Sequence, residues 1–200
     1  MRNLHRLLAC LLPLSTLPAP APADEAEIAR PNALSFYMGR ISSEETWHDV
    51  LLKPYSSNYT DAYLATVAYS RAWRESHEGA LRSESEVNAT FNFGDQSYWE
   101  LNVVPLTLRW QRFPWNEHLY TTLAFGAGFS YAFKFPEIEY ELENDTQQFL
   151  VFWLLEITAG PREGPWQAFV RLHHRSPAWG AMGIADGGMN APSIGFRYSF

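Results

Sequence analysis

From residue 34 onward, apolar and polar side chains alternate in runs separated by clusters of glycine, proline, asparagine and acidic residues. Successive residues of a strand point to opposite faces, so alternation of period two predicts half-buried β-strands rather than helices. The runs fall at 34–41, 60–74, 81–93, 98–112, 118–131, 148–160, 166–176 and 190–200. In the second, Tyr63, Ala65, Val67 and Tyr69 share one face. In the third, Val87, Ala89, Phe91 and Phe93 oppose Arg82, Glu84, Glu86, Asn88, Thr90 and Asn92. The fourth changes phase, from Trp99, Leu101 and Val103 to Val104, Leu106, Leu108 and Trp110, which predicts a bulge near Pro105. In the sixth, Glu156 faces away from Phe149, Val151, Trp153, Leu155 and Ile157. Residues 42–59 and 134–147 read as long polar loops, the links at 75–79, 94–97, 113–116 and 161–165 as tight turns.

The last two runs form a hairpin with an anomaly in its pattern. On the seventh, Trp166, Ala168, Val170 and Leu172 share a face that continues into His174 and Ser176, while Gln167, Phe169, Arg171, His173 and Arg175 occupy the other. On the eighth, Asn190 begins the row of Pro192, Ile194, Phe196, Tyr198 and Phe200. Three polar side chains therefore stand where the pattern calls for apolar ones.

Composition narrows the class. Aromatic residues make up 16% of the chain and charged residues 18%, yet mean hydropathy is only −0.25. No apolar run is long enough for a membrane helix. A transmembrane β-barrel has this profile, because its apolar residues are spread over alternate positions; a secreted β-sandwich has similar statistics. Eight strands, connections that alternate broadly between short and long with the short link at 94–97 as the exception, and Trp73, Trp110, Trp115 and Trp166 near the short-turn side favour the barrel. So does the terminal Phe200, which resembles the C-terminal signature read by outer-membrane assembly machinery. The expectation is an all-β, eight-stranded antiparallel transmembrane barrel of the outer-membrane type over residues 34–200. A short polar segment, 24–33, precedes it.

Arg2 and Arg6, the apolar stretch 7–17 and the small residues 19–23 read as an export signal cut after Ala23. Its removal takes two arginines and no acids, so 15 basic residues become 13 against 22 acidic, a formal charge of −9. The acidic balance, −7 for the whole chain, argues against nucleic acid as a partner, since phosphate binding needs a basic surface. Cys10, the sole cysteine, lies in the signal, which leaves no thiol or disulfide chemistry in the exported chain. No cofactor or metal is expected.

In a barrel with lipid-facing apolar rows, His174 and Ser176 face outward at the end of a strand that runs away from the periplasm. Asn190 returns at the same height on the neighbouring strand. His and Ser at i and i+2 have Cα atoms roughly 7 Å apart, within reach of the nucleophile-and-base arrangement of acyl transfer. The stretch Val170-Arg171-Leu172-His173-His174-Arg175-Ser176, with Gly187-Gly188-Met189-Asn190 and the closing Gly195-Phe196-Arg197-Tyr198-Ser199-Phe200, resembles the PagL-like outer-membrane lipid A 3-O-deacylases, also called acyloxyacyl hydrolases. The resemblance implies a bacterial outer-membrane location and hydrolysis of an ester-linked acyl chain of lipid A, or lipopolysaccharide, in the outer leaflet. It implies Ser176 as nucleophile and His174 as general base, and a homodimer is compatible with it. The chain departs from the family pattern twice. Asn190 stands where the family has a glutamate to orient the histidine. Pro177, which has no N–H, follows the nucleophile, so oxyanion donors would come from Ala178, Trp179 or Gly180. The alternative reading is a non-catalytic structural or lipid-binding barrel that keeps the scaffold with a degenerate site.

Overall fold

The computed structural model describes residues 28–43, 46–76, 78–183 and 186–200. The export signal read at 1–23 lies outside them. Among the described residues, eight strands close into an antiparallel barrel, each paired with its sequence neighbours and the last with the first. They are β1 (Asn32–Ser42), β2 (Tyr59–Ser76), β3 (Leu81–Gly94), β4 (Tyr98–Trp110), β5 (Tyr120–Ala132), β6 (Phe149–Gly160), β7 (Trp166–Ser176) and β8 (Met189–Ser199). Closure removes the exposed edges that an open sheet would present. The seam is sealed at its end by paired backbone hydrogen bonds between Asn32 and Phe200, 3.0 and 2.8 Å.

The period-two pattern sorts side chains as the sequence predicts. Leu34, Phe36, Val67, Val87, Leu101, Phe125, Ile157, Val170, Ile194 and Phe196 point outward and are exposed. Surrounded by water, so wide an apolar belt would be a liability; surrounded by hydrocarbon, it is the matched surface of an outer-membrane barrel. Trp73, Trp110, Trp115 and Trp166 are also exposed, at the short-turn end. The bulge appears at the expected place. Glu86 pairs with Val104 but Glu84 with Thr107, and pairing to β5 skips from Val103 to Leu106. Pro105 and Leu106 both point outward across it, so Val104 faces the lumen and is fully buried rather than opening the second apolar row.

The lumen is filled by ion pairs. Arg109 reaches Glu84 (3.1 Å) and Glu156 (2.8 Å), Arg171 reaches Glu86 (2.7 Å) and Glu156 (2.5 Å), and Arg197 reaches Glu84 (2.9 Å). Charges taken out of water must find partners of opposite sign, and here Glu84 and Glu156 are each shared between arginines of two strands. The Glu156 singled out by its parity is one hub of this web.

The long connections, where the sequence predicts loops, hold two helices, α1 (Trp47–Leu52) and α2 (Glu137–Glu143). Both lie on the rim opposite the chain ends, since β1–β2 and β5–β6 turn there. In α2 the sequence Glu-Ile-Glu-Tyr-Glu-Leu-Glu alternates with period two and hides its helical face. Ile138 and Leu142, four residues apart, pack against a cluster of Tyr37, Ile41, Leu64, Phe169 and Met189 inside the barrel.

Candidate functional site on the outer face of the barrel

β7 is fixed from inside and chemically open outside. His173 points into the lumen, where its Nδ1 meets Tyr37 Oη at 3.0 Å and its Nε2 meets Glu100 Oε1 at 2.9 Å. Arg175 also points inward. It pairs with Glu139 of α2 and donates to the Gln148 carbonyl at 3.1 Å. Thr146 Oγ donates to the same Glu139 at 2.7 Å. Burial pushes the Glu139 carboxyl up, and the Arg175 guanidinium opposes that shift. These contacts pin the residues on either side of His174.

His174 faces outward, directly across from Asn190 on β8 and from Trp153 on β6. Its Nδ1 lies 2.7 Å from Asn190 Oδ1. Both residues are nearly covered, with 8% and 4% of their surface exposed, although both are on the barrel's outer face. The cover is aromatic. The Trp153 ring lies over the imidazole with centroids 4.3 Å apart, and Trp47 of α1 meets Trp153 edge-on at 5.6 Å. An amide oxygen can only accept a hydrogen bond, so Nδ1 carries the proton and the lone pair is left on Nε2. That is the tautomer in which an imidazole serves as a base.

Ser176 is two residues further along the same face, opposite Val151, and is less covered than His174. Among the described residues no hydrogen bond joins it to the imidazole. Ser176, His174 and Asn190 line one groove of about 700 Å³ with Asp186 and Ser42. Its far wall is apolar: Phe125, Ala127, Val151, Trp153 and Leu155. Ala127 is the small residue in a β5 row otherwise made of Leu123, Phe125, Phe129 and Tyr131, and it makes the floor low there.

Beyond Ser176 and Pro177 the chain makes a left-handed turn. Ala178, Trp179 and Gly180 have φ of 50°, 55° and 83°. Consecutive non-glycine residues in this region are costly, about 1–2 kcal/mol each, and such strain gathers at sites where the backbone is used. The turn closes through bonds from Ala181 N to Ala178 O and from Met182 N to Pro177 O, both 3.1 Å. Among the described residues, the amides of residues 178–180 donate to no backbone carbonyl. Gly187 and Gly188 return the chain with φ of 105° and 113°. A side chain on Gly188 would collide with the Arg175 carbonyl and come within 3.0 Å of Ser176 Cα. The absence of that side chain lets β8 start against the end of β7. Among the described residues, no group of three or more His, Cys, Asp or Glu side chains is arranged to hold a metal ion.

Trp153, Trp47 and Ser42 were not anticipated. Trp153 and Ser42 carried a usable signal, since both lie on outward rows and neighbour the site once register is counted from the turns. Trp47 carried none, because it arrives on a loop helix.

No family model and no curated protein matches this sequence. Among solved structures the chain is similar to one described as the crystal structure of the outer membrane enzyme PagL, with a TM-score of 0.58 at 12% identity. The match covers 84% of this chain and 99% of that one. At such low identity the likeness establishes the shared barrel.

Proposed function

We propose that this barrel resides in the bacterial outer membrane and hydrolyses an ester-linked acyl chain of lipid A from its lipid-facing surface. The observation that carries this reading is the 2.7 Å contact from His174 Nδ1 to Asn190 Oδ1. An outward-facing row has no packing reason to hold an imidazole in one tautomer with its lone pair on Nε2. A catalytic base needs both conditions.

In the proposed reaction Ser176 Oγ attacks the ester carbonyl carbon while its proton passes to His174 Nε2. The tetrahedral oxyanion is held by free amides of the left-handed turn at 178–180. Collapse breaks the bond between acyl carbon and sugar oxygen, and that oxygen takes the proton back from His174. Water, deprotonated by the same Nε2, then attacks the acyl-serine. The second collapse releases the fatty acid and returns the proton to Ser176 Oγ. Asn190 holds the imidazole throughout, as a neutral acceptor. The apolar wall from Phe125 to Trp153 takes the acyl chain, which leaves the bilayer sideways without crossing water.

A second reading, a lipid-binding barrel without turnover, draws on two observations: Asn190 brings no negative charge, and no hydrogen bond joins Ser176 to His174. Mass spectra of lipid A from cells expressing the parent chain or Ser176→Ala separate the two. Hydrolysis predicts loss of one acyl chain with the parent only. Identical spectra, with both barrels folded in the outer membrane, would favour the binding reading.

A further inference from the structure

The hydrolytic step puts a positive charge on a ring that has lost most of its water. When His174 takes the Ser176 proton it becomes an imidazolium, and only 8% of its surface is exposed. A buried charge without a partner is costly. Among the described residues His174 makes no ion pair, and the polar partner of its ring is the neutral amide oxygen of Asn190, 2.7 Å away. The charged and titratable groups around it do not fill that gap. His173 and Arg175 point into the lumen and are paired there with Glu100 and Glu139. Glu143 and Asp186 line the groove, but neither forms an ion pair with the imidazole among the described residues. His48 lies beyond Trp47, edge-on to it at 5.7 Å.

What does face the ring is an indole. Trp153 stands directly across from His174 on β6, with ring centroids 4.3 Å apart and planes inclined by 35°. That arrangement is closer to stacked than to edge-on. The face of an aromatic ring carries the negative part of its quadrupole, and Trp attracts a cation near its centroid more strongly than Tyr or Phe does. The attraction grows as water is excluded, and water is excluded here. The indole is itself held in place. Trp47 of α1 meets it at 89° and 5.6 Å, and Phe125 of β5 lies 6.0 Å away at 37°. A neutral imidazole gains little from such a face, whereas an imidazolium gains much more. The contact therefore favours the transition state over the ground state, which is the condition for accelerating a step.

We infer that Trp153 takes over part of the role a carboxylate would have at this site: its π face stabilises the His174 imidazolium formed when Ser176 is deprotonated. The inference rests on the hydrolytic reading of His174. Trp153 acts through His174 and forms no bond to the substrate's reacting atoms. This accounts for a base whose orienting residue is neutral. It also accounts for a bulky indole on the acyl wall, where a smaller apolar residue would leave a fatty chain more room.

The test places tryptophans of rising fluorine content at position 153 of the full barrel in detergent micelles. Fluorine draws electron density from the indole face and leaves its shape nearly unchanged. Stepwise falls in kcat for fatty-acid release are expected along the series, with KM little changed. Trp153→Leu, which keeps the wall apolar, is expected to lower kcat roughly thirtyfold, the effect of a desolvated cation–π contact, and Trp153→Phe by less. In an Asn190→Asp background the Trp153→Leu loss should shrink to a few-fold, because the carboxylate then carries most of the attraction. A kcat that is flat across the fluorinated series, or an undiminished loss in the Asn190→Asp background, would overturn the inference and leave Trp153 a packing residue. If Trp153→Leu does not fold, the nearly isosteric fluorinated chains still decide. A ¹⁵N NMR titration of His174, with its signals assigned by their loss in His174→Ala, reads the contact without turnover. Each added fluorine should make the ring harder to protonate, and a titration indifferent to fluorine would overturn the inference. A parent that releases no fatty acid would defeat the hydrolytic reading, yet that titration would still judge Trp153.

Discussion

Replacing Asn190 probes the link between the geometry and the chemistry proposed for it. Asn190→Ala removes the acceptor 2.7 Å from His174 Nδ1, in a pair that is almost wholly covered. A hydrogen bond to a group that becomes charged contributes about 1.5–3 kcal/mol, so the variant should be roughly ten- to a hundredfold slower. Asn190→Asp keeps the shape and adds a charge. At 2.7 Å with an effective dielectric constant near 20, the attraction between carboxylate and imidazolium is about 6 kcal/mol as an upper bound. Taking a carboxylate out of water costs several kcal/mol. A net gain of about 1–2 kcal/mol remains, which corresponds to roughly a tenfold faster reaction. The assay is fatty-acid release in mixed micelles per folded molecule, with folded barrel counted by its heat-modifiable migration in a detergent gel. If Asn190→Ala is as fast as the parent and Asn190→Asp no faster, Asn190 does not orient the imidazole. Asp186, on the same groove, would then be the better candidate.

Three further perturbations test the surroundings. Gly188→Ala forces a side chain against the Arg175–Ser176 backbone at a φ of 113°; it should cost about 1–3 kcal/mol of stability and lower kcat, measured by thermal scans and fatty-acid release. Ala127→Phe fills the low floor of the groove and should raise KM for long acyl chains more than for short ones, as read from a series of substrates of graded length. Deleting Phe200 removes the backbone pair with Asn32 and should lower folded yield in outer-membrane fractions while export continues.

Much of the barrel was legible because a membrane wall imposes period two on nearly every strand. Glu156, Arg171 and Arg197 announced the lumen by parity alone, and the phase change at Pro105 located the bulge. The bulge's inner member, Val104, escaped because an apolar residue inside a charged lumen looks like one outside it. The apposition of His174 and Asn190 was legible too, since both strands cross the same apolar band and meet at one height beyond it. The helices were not. α1 is six residues long, and the alternating acids of α2 mask the Ile138–Leu142 face, so nothing foretold that Trp47 would shelter the imidazole through Trp153 or that Glu139 would clamp Arg175. Those contacts depend on how loops fold back over a finished barrel, which local pattern does not encode.

The central claim is that Ser176 and His174 act together on an acyl ester, and one measurement addresses it most directly. Purified folded barrel is incubated with lipid A in mixed micelles, and released fatty acid is quantified by mass spectrometry for the parent, Ser176→Ala, His174→Ala and His173→Ala. The account predicts one fatty acid per glycolipid from the parent and none above background from Ser176→Ala or His174→Ala. His173→Ala, whose side chain serves the lumen, should retain most of the activity. Release that survives Ser176→Ala, or that is lost with His173→Ala while His174→Ala stays active, would contradict it.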